Sequence, residues 1–149
     1  MMRLARLLPP LALLVAAQPG CLSGSGPCAT DGDCGGGDEC TRTGECVASG
    51  TALRVVLRWT VGGEAPSPTR PEPCAPLAEL EVMLHDPGGE PEDYRPVPCA
   101  LGQVVYDKIP PRFEAVRVLA YSASGRVVDT AEAALEPTGE SSVLVDLEP

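Results

Sequence analysis

The stretch Leu53-Arg-Val-Val-Leu-Arg-Trp-Thr-Val61 decides the fold. Leu53, Val55, Leu57, Trp59 and Val61 fall at every second position, and Arg54, Arg58 and Thr60 lie between them. A period of two is the mark of a strand with one face buried and one face wet. Downstream, Gly62 to Pro76 is a proline-rich loop that carries Cys74. Ala78, Leu80, Val82 and Leu84 then alternate again. Leu77, Leu80 and Leu84 would also suit a helix, but the density of turn formers around them favours a strand. His85-Asp86-Pro87-Gly88-Gly89 reads as a turn, and Pro96 and Pro98 confine Tyr94 to Cys99 to an edge. Gln103 to Ile109 and Phe113 to Tyr121 follow as strands. Ser122-Ala-Ser-Gly125 is a hairpin turn with glycine placed for positive φ. Arg126 to Leu135 returns, Pro137-Thr-Gly139 turns, and Val143, Val145 and Leu147 close the sheet. The expected class is all-β: a small antiparallel β-sandwich of six or seven strands over residues 51–149, preceded by a signal peptide and a short disulfide-rich segment.

Upstream of the sandwich, Cys28, Cys34, Cys40 and Cys46 recur at an interval of six in a stretch rich in Gly, Asp and Thr. With almost no apolar residues, this segment cannot bury a core, so two bridges must order it. Three pairings of four cysteines are open. Asp31, Asp33 and Gly35 superficially follow a calcium loop, but Gly35 and Arg42 stand where oxygen ligands are needed; turn residues between closely spaced bridges are the simpler reading. The five-residue gaps are also too long for the short Cys pairs of structural zinc. The run, with Asp31-Gly-Asp33 before its second cysteine and Thr43-Gly44-Glu45 before its last, resembles the Dickkopf-type cysteine-rich repeats found near the start of exported bacterial proteins. Cys74 and Cys99 remain as a third pair.

Residues 1–20 read as a signal peptide, with a basic start at Arg3 and Arg6 and an apolar run from Leu7 to Ala17. That run is shorter than the roughly 20 apolar residues of a membrane span and is interrupted by Pro9 and Pro10. Gln18-Pro19-Gly20-Cys21 resembles the lipobox of bacterial lipoproteins, which implies that Cys21 is lipidated and becomes the mature N-terminus. Gly20 fits that pattern; Gln18, where leucine is usual, does not. Cleavage after Ala17, behind Val15-Ala16-Ala17, is the alternative and would give a secreted soluble protein. Seven cysteines favour the lipid, because acylating Cys21 leaves an even set of six. Leu22, which is not acidic, implies by the same resemblance an outer-membrane anchor. Residues 21–50 then form the tether and cysteine-rich segment.

Without Arg3 and Arg6, nine basic residues face twenty-one acidic ones. That balance excludes a polyphosphate footprint and hence nucleic acid as partner. Five aromatic residues, Trp59, Tyr94, Tyr106, Phe113 and Tyr121, are few for a sugar-stacking platform. His85 beside Asp86 is the one histidine, and it reads as an exposed loop residue without a nucleophile around it. Glu79/Glu81 and Glu92/Asp93 read as solvated strand faces. No catalytic motif, cofactor site or metal site is expected.

Tyr106-Asp-Lys-Ile-Pro-Pro-Arg-Phe-Glu-Ala-Val-Arg-Val-Leu-Ala-Tyr-Ser-Ala-Ser-Gly-Arg-Val127 is similar to the core of prealbumin-like and carboxypeptidase-regulatory-like modules, with Pro110-Pro111-Arg112-Phe113 standing where that pattern has Pro-Gly-x-Tyr. An immunoglobulin domain is a poorer match, since Trp59 precedes both Cys74 and Cys99. Three readings follow. One is a non-enzymatic envelope lipoprotein, held to the membrane by its lipid, whose sandwich is a protein-interaction or structural module. The second is a carbohydrate-binding or adhesion module. The third is a small periplasmic hydrolase or inhibitor, for which His85 is the sole candidate.

Overall fold

The computed structural model describes residues 27–149. The signal peptide expected at 1–20, both cleavage sites and Cys21 lie outside them. Among the described residues there are nine strands and three 3-10 turns, and no helix is long and apolar enough to cross a membrane. Strands β1 (Glu39–Cys40) and β2 (Cys46–Val47) pair within the cysteine-rich segment. The other seven are β3 (Leu53–Val61), β4 (Glu79–His85), β5 (Glu92–Val97), β6 (Gln103–Ile109), β7 (Ala115–Tyr121), β8 (Val127–Ala134) and β9 (Glu140–Leu147). They form two sheets, ordered β6-β3-β9 and β5-β4-β7-β8.

The opening stretch is the central strand of the first sheet. Its five alternating apolar residues are all buried, while Arg54 and Arg58 are exposed. In register beside them, β6 contributes Val104 and Tyr106, and β9 contributes Val143, Val145 and Leu147. The second sheet answers with Leu80, Val82 and Leu84 of β4 against Ala120, Val118 and Val116 of β7. Together these side chains make one contiguous core. Burial at about 25 cal/mol per Å² of apolar surface is what holds the two layers together. Phe113 and Leu135, just outside β7 and β8, are buried and extend the core beyond the strand ends.

One pairing is parallel. β3 and β9 run in the same direction over eight partners, from Arg54↔Glu140 to Val61↔Leu147, while the other pairings are antiparallel. Parallel neighbours need a long crossover; here the rest of the sandwich, lying between them in sequence, supplies it. Ser141, on the inner face of β9, is 2% exposed, and its hydroxyl accepts a bond from the Glu136 N–H at 3.0 Å.

Edges are handled locally. β5 carries Pro96 and a register shift against β4 between Leu80 and Val82. β6 is met by the cysteine-rich segment, where the Arg42 N–H donates to the Lys108 carbonyl at 2.7 Å. Both devices block further strand pairing.

Candidate functional site

All six cysteines from Cys28 onward are bridged: Cys28–Cys40, Cys34–Cys46 and Cys74–Cys99. Cys40 and Cys46 face each other across the β1–β2 ladder, and each reaches back to the preceding turn, so the two N-terminal bridges interlock. The sulfurs of Cys28, Cys34 and Cys40 lie within 4.8 Å of one another. Asp31 and Asp33 act as turn residues. Asp33 accepts from the Ala29 and Thr30 N–H groups at 3.0 and 2.8 Å, and Asp31 accepts from the Cys40 N–H at 2.9 Å.

The cysteine-rich segment is seated on the sandwich. Lys108 Nζ lies 2.6 Å from Asp31. Arg112 donates to Glu45 through Nη2 at 2.6 Å and Nε at 3.1 Å, and to Asp86 through Nη1 at 2.9 Å. Its guanidinium also lies 4.3 Å over the Phe113 ring. Arg42 covers the stacked rings of Tyr94 and Tyr106, whose centroids are 4.3 Å apart, at 5.2 and 5.6 Å. At the hinge between the two parts, Glu39 accepts from the Gly50 and Ala52 N–H groups at 2.9 and 3.1 Å.

The charges respond to this seat. The Arg112 bonds hold the Glu45 carboxyl below its ordinary range, and the Lys108 bond does the same for Asp31. Asp86 is lowered first by the Gly88 N–H and then by Arg112. Burial raises the phenols of Tyr94 and Tyr106. Lys108 itself has φ of 58°, the left-handed region that a residue other than glycine enters at a cost. That backbone turn aims its carbonyl at Arg42 and its ammonium at Asp31.

Two concavities flank the seat. An open groove of about 660 Å³ lies at the junction, among Thr30, Asp31, Arg42, Thr43, Asp107 and Lys108. A shallower recess of about 430 Å³ runs beside β5, among Tyr94, Pro96, Pro98, Leu101, Val104 and Tyr106. Leu101 is 44% exposed at that recess.

Two sequence expectations change. Glu81 is 7% exposed, so the Glu79/Glu81 pair is not a simple solvated face. Arg95 binds both carboxylates at 3.1 Å, and the Tyr121 hydroxyl donates to Glu81. His85 belongs to the end of β4 instead of a loop, half-buried, with an Nε2 that is buried and has no hydrogen-bond partner among the described residues. The residues that build the seat, Arg42, Glu45, Lys108 and Arg112, were not legible as partners, because each reads locally as a solvated charge. Comparison with protein-family models, curated proteins and solved structures finds no match to this chain.

Proposed function

We propose that the chain is an exported envelope lipoprotein, anchored through a lipid on Cys21, in which the cysteine-rich segment and the sandwich act as one non-enzymatic protein-interaction or structural module. The observation that carries this reading is the cysteine pairing. Three bridges use every cysteine but Cys21, which is left with no cysteine of this chain to pair with. Bridges of this kind belong to an oxidising compartment. In this reading the segment is a Dickkopf-type repeat, the sandwich is a prealbumin-like module, and Leu22 directs the anchor to the outer membrane.

The recess beside β5 is the surface this reading assigns to a protein partner. Tyrosine and arginine are enriched at protein contacts, and the recess offers Tyr94 and Arg95 beside the exposed Leu101. Two measurements test the proposal. Intact mass of the mature protein should show an acyl increment on Cys21 and a gain of six hydrogens on reduction; an N-terminus at Gln18 would overturn the anchor and leave a secreted soluble protein. Crosslinking in intact cells should give a defined protein adduct that Leu101→Glu abolishes. A glycan bound by the purified domain, with no such adduct, would favour the adhesion reading.

A further inference from the structure

We propose that Cys28–Cys40 and Cys34–Cys46 form one coupled thiol–disulfide exchange unit, with Cys34 as its relay sulfur, and that a dithiol reductant opens both bridges together and unseats the segment from the sandwich.

The exposure of the bridges sets the order of attack. Cys28, Cys34 and Cys46 are half-buried, whereas Cys40, Cys74 and Cys99 are 5%, 8% and 5% exposed. An incoming thiolate therefore reaches the N-terminal bridges first, since exchange depends on access to the attacked sulfur. Attack on Cys28 forms a mixed disulfide there and releases Cys40 as a thiolate. Attack on Cys46 releases Cys34 instead.

In both cases the released thiolate already has a neighbouring bridge within 4.8 Å. A Cys40 thiolate attacks Cys34, forms a Cys34–Cys40 bond and expels Cys46. A Cys34 thiolate attacks Cys28 or Cys40 and expels the other. These steps only exchange partners, with no net redox change. The second thiol of the dithiol then closes on the mixed disulfide, leaving as a cyclic disulfide, and each bridge consumes one dithiol and two electrons. The rearranged bond spans a shorter loop than the native one and takes the segment out of its native shape, which exposes it to the next dithiol.

Opening the unit removes what orders the segment. Between residues 27 and 50 the buried side chains are those of Cys40 and Thr41 alone, so without its bridges the segment has no core to hold Asp31, Arg42 and Glu45 in place. Their contacts with Lys108, the Tyr94–Tyr106 pair and Arg112 are then lost, which uncovers the β6 edge. Cys74–Cys99 lies inside the sandwich core and stays closed.

The test is a titration of the folded mature protein with dithiothreitol, acid-quenched, alkylated and mapped by peptide mass. Expected is a four-thiol species labelled at Cys28, Cys34, Cys40 and Cys46 with Cys74–Cys99 intact. Any two-thiol species should carry a rearranged Cys28–Cys34 or Cys34–Cys40 bond. A stable two-thiol species that keeps the second native bridge would overturn the coupling, and so would opening of Cys74–Cys99 first. Hydrogen exchange of the four-thiol species should rise across residues 103–109 and stay slow in β4 and β7. Unchanged protection of the Arg42 N–H, which donates to the Lys108 carbonyl, would overturn the unseating.

Discussion

Arg112 holds Glu45 across sixty-seven positions of sequence, Nη2 to Oε1 at 2.6 Å, and binds Asp86 on its other side. One guanidinium thus joins the cysteine-rich segment to the turn after β4. A planar fork suits this bridging, because it presents several donors in fixed directions. Its stem and plane also lie against the buried Phe113 ring, so the cation is positioned by the core it caps.

Replacing Arg112 by alanine should loosen the segment without unfolding the sandwich. The side chains of Arg112 and Glu45 are 37% and 40% exposed, so solvent weakens the pair. Two such ion pairs with a cation–π contact sum to about 1–2 kcal/mol. Amide exchange in residues 39–47 should accelerate roughly 5–30-fold, with β4 and β7 unaffected. Lysine at position 112 should recover only part of this, since it cannot fork to Glu45 and Asp86 together.

Acid should release the same contact. Glu45, Asp31 and Asp86 have carboxyls lowered in the folded state, by Arg112, Lys108 and the Gly88 N–H respectively. A lowered folded value means stability that is complete above the ordinary carboxylate pKa of about 4 and is lost as pH falls through the folded value. Exchange rates across residues 28–47 should therefore be flat from pH 7 to about 5, after correction for intrinsic rates, and rise below about 4. Arg112→Ala should remove the part of that rise that comes from Glu45 and leave the part that comes from Asp31.

Much of the sandwich was legible in sequence because its signal is local. Leu53 to Val61, Leu80 to Leu84 and Val143 to Leu147 each alternate within a single strand, and Gly125, with φ of 73°, marks the β7–β8 turn as expected. What escaped depends on partners far apart. The parallel match of Val55 with Ser141 has no local cue. Nor does the burial of Glu81, which follows from Arg95 and Tyr121 meeting on the outer face of the sheet. The seat is the clearest case: Lys108, the chain's one lysine, pairs with an acid seventy-seven positions away.

Breaking Cys74–Cys99 should cost more than any single surface contact. The bridge spans 25 residues and both cysteines are buried beside Trp59, whose indole N–H donates to the Cys99 carbonyl at 2.8 Å. Closing a loop of that length is worth about 3.5 kcal/mol in the chain-entropy model. The double substitution Cys74→Ser, Cys99→Ser should lower the melting temperature by on the order of 10–20 °C. Trp59→Phe keeps the bridge and removes one of two bonds to the Cys99 carbonyl, which still accepts from the Gly102 N–H at 3.1 Å, so the lost bond costs about 1 kcal/mol before the missing ring volume is counted.

Gly102→Ala should be severe for a change of one methyl group. Gly102 has φ of 68°, and a Cβ there would sit 2.2 Å from the Pro66 carbonyl oxygen. The neighbouring carbonyl is already committed, since Gly102 O accepts from the Trp59 N–H at 3.2 Å. Left-handed strain of about 1–2 kcal/mol adds to overpacking of about 1–3 kcal/mol. Thermal melts should place this variant well below Gly125→Ala, where a Cβ meets nothing within 4 Å and the cost is conformational alone.

The Glu81 cluster should make the outer face of the second sheet sensitive to alkali. The Tyr121 phenol is raised, first by its bond to Glu81, so the folded state prefers the protonated hydroxyl. A raised folded value means that this stability is present below the ordinary tyrosine pKa of about 10 and is lost as pH climbs through the folded value. Tyr121→Phe removes the bond and should destabilise at neutral pH by about 1–2 kcal/mol, since the acceptor is a charged carboxylate. It should also remove the part of the alkaline loss that comes from this phenol. Arg95→Ala leaves Glu81 with Tyr121 alone, an under-compensated carboxylate at 9% side-chain exposure, so it should destabilise at pH 7. Melting curves from pH 7 to 11 should therefore differ in trend, with Tyr121→Phe approaching the wild type as pH rises and Arg95→Ala, which lacks the cation that offsets the Glu81 and Tyr121 charges, falling further below it, and parallel curves would show that the Tyr121 phenol carries no charge coupling.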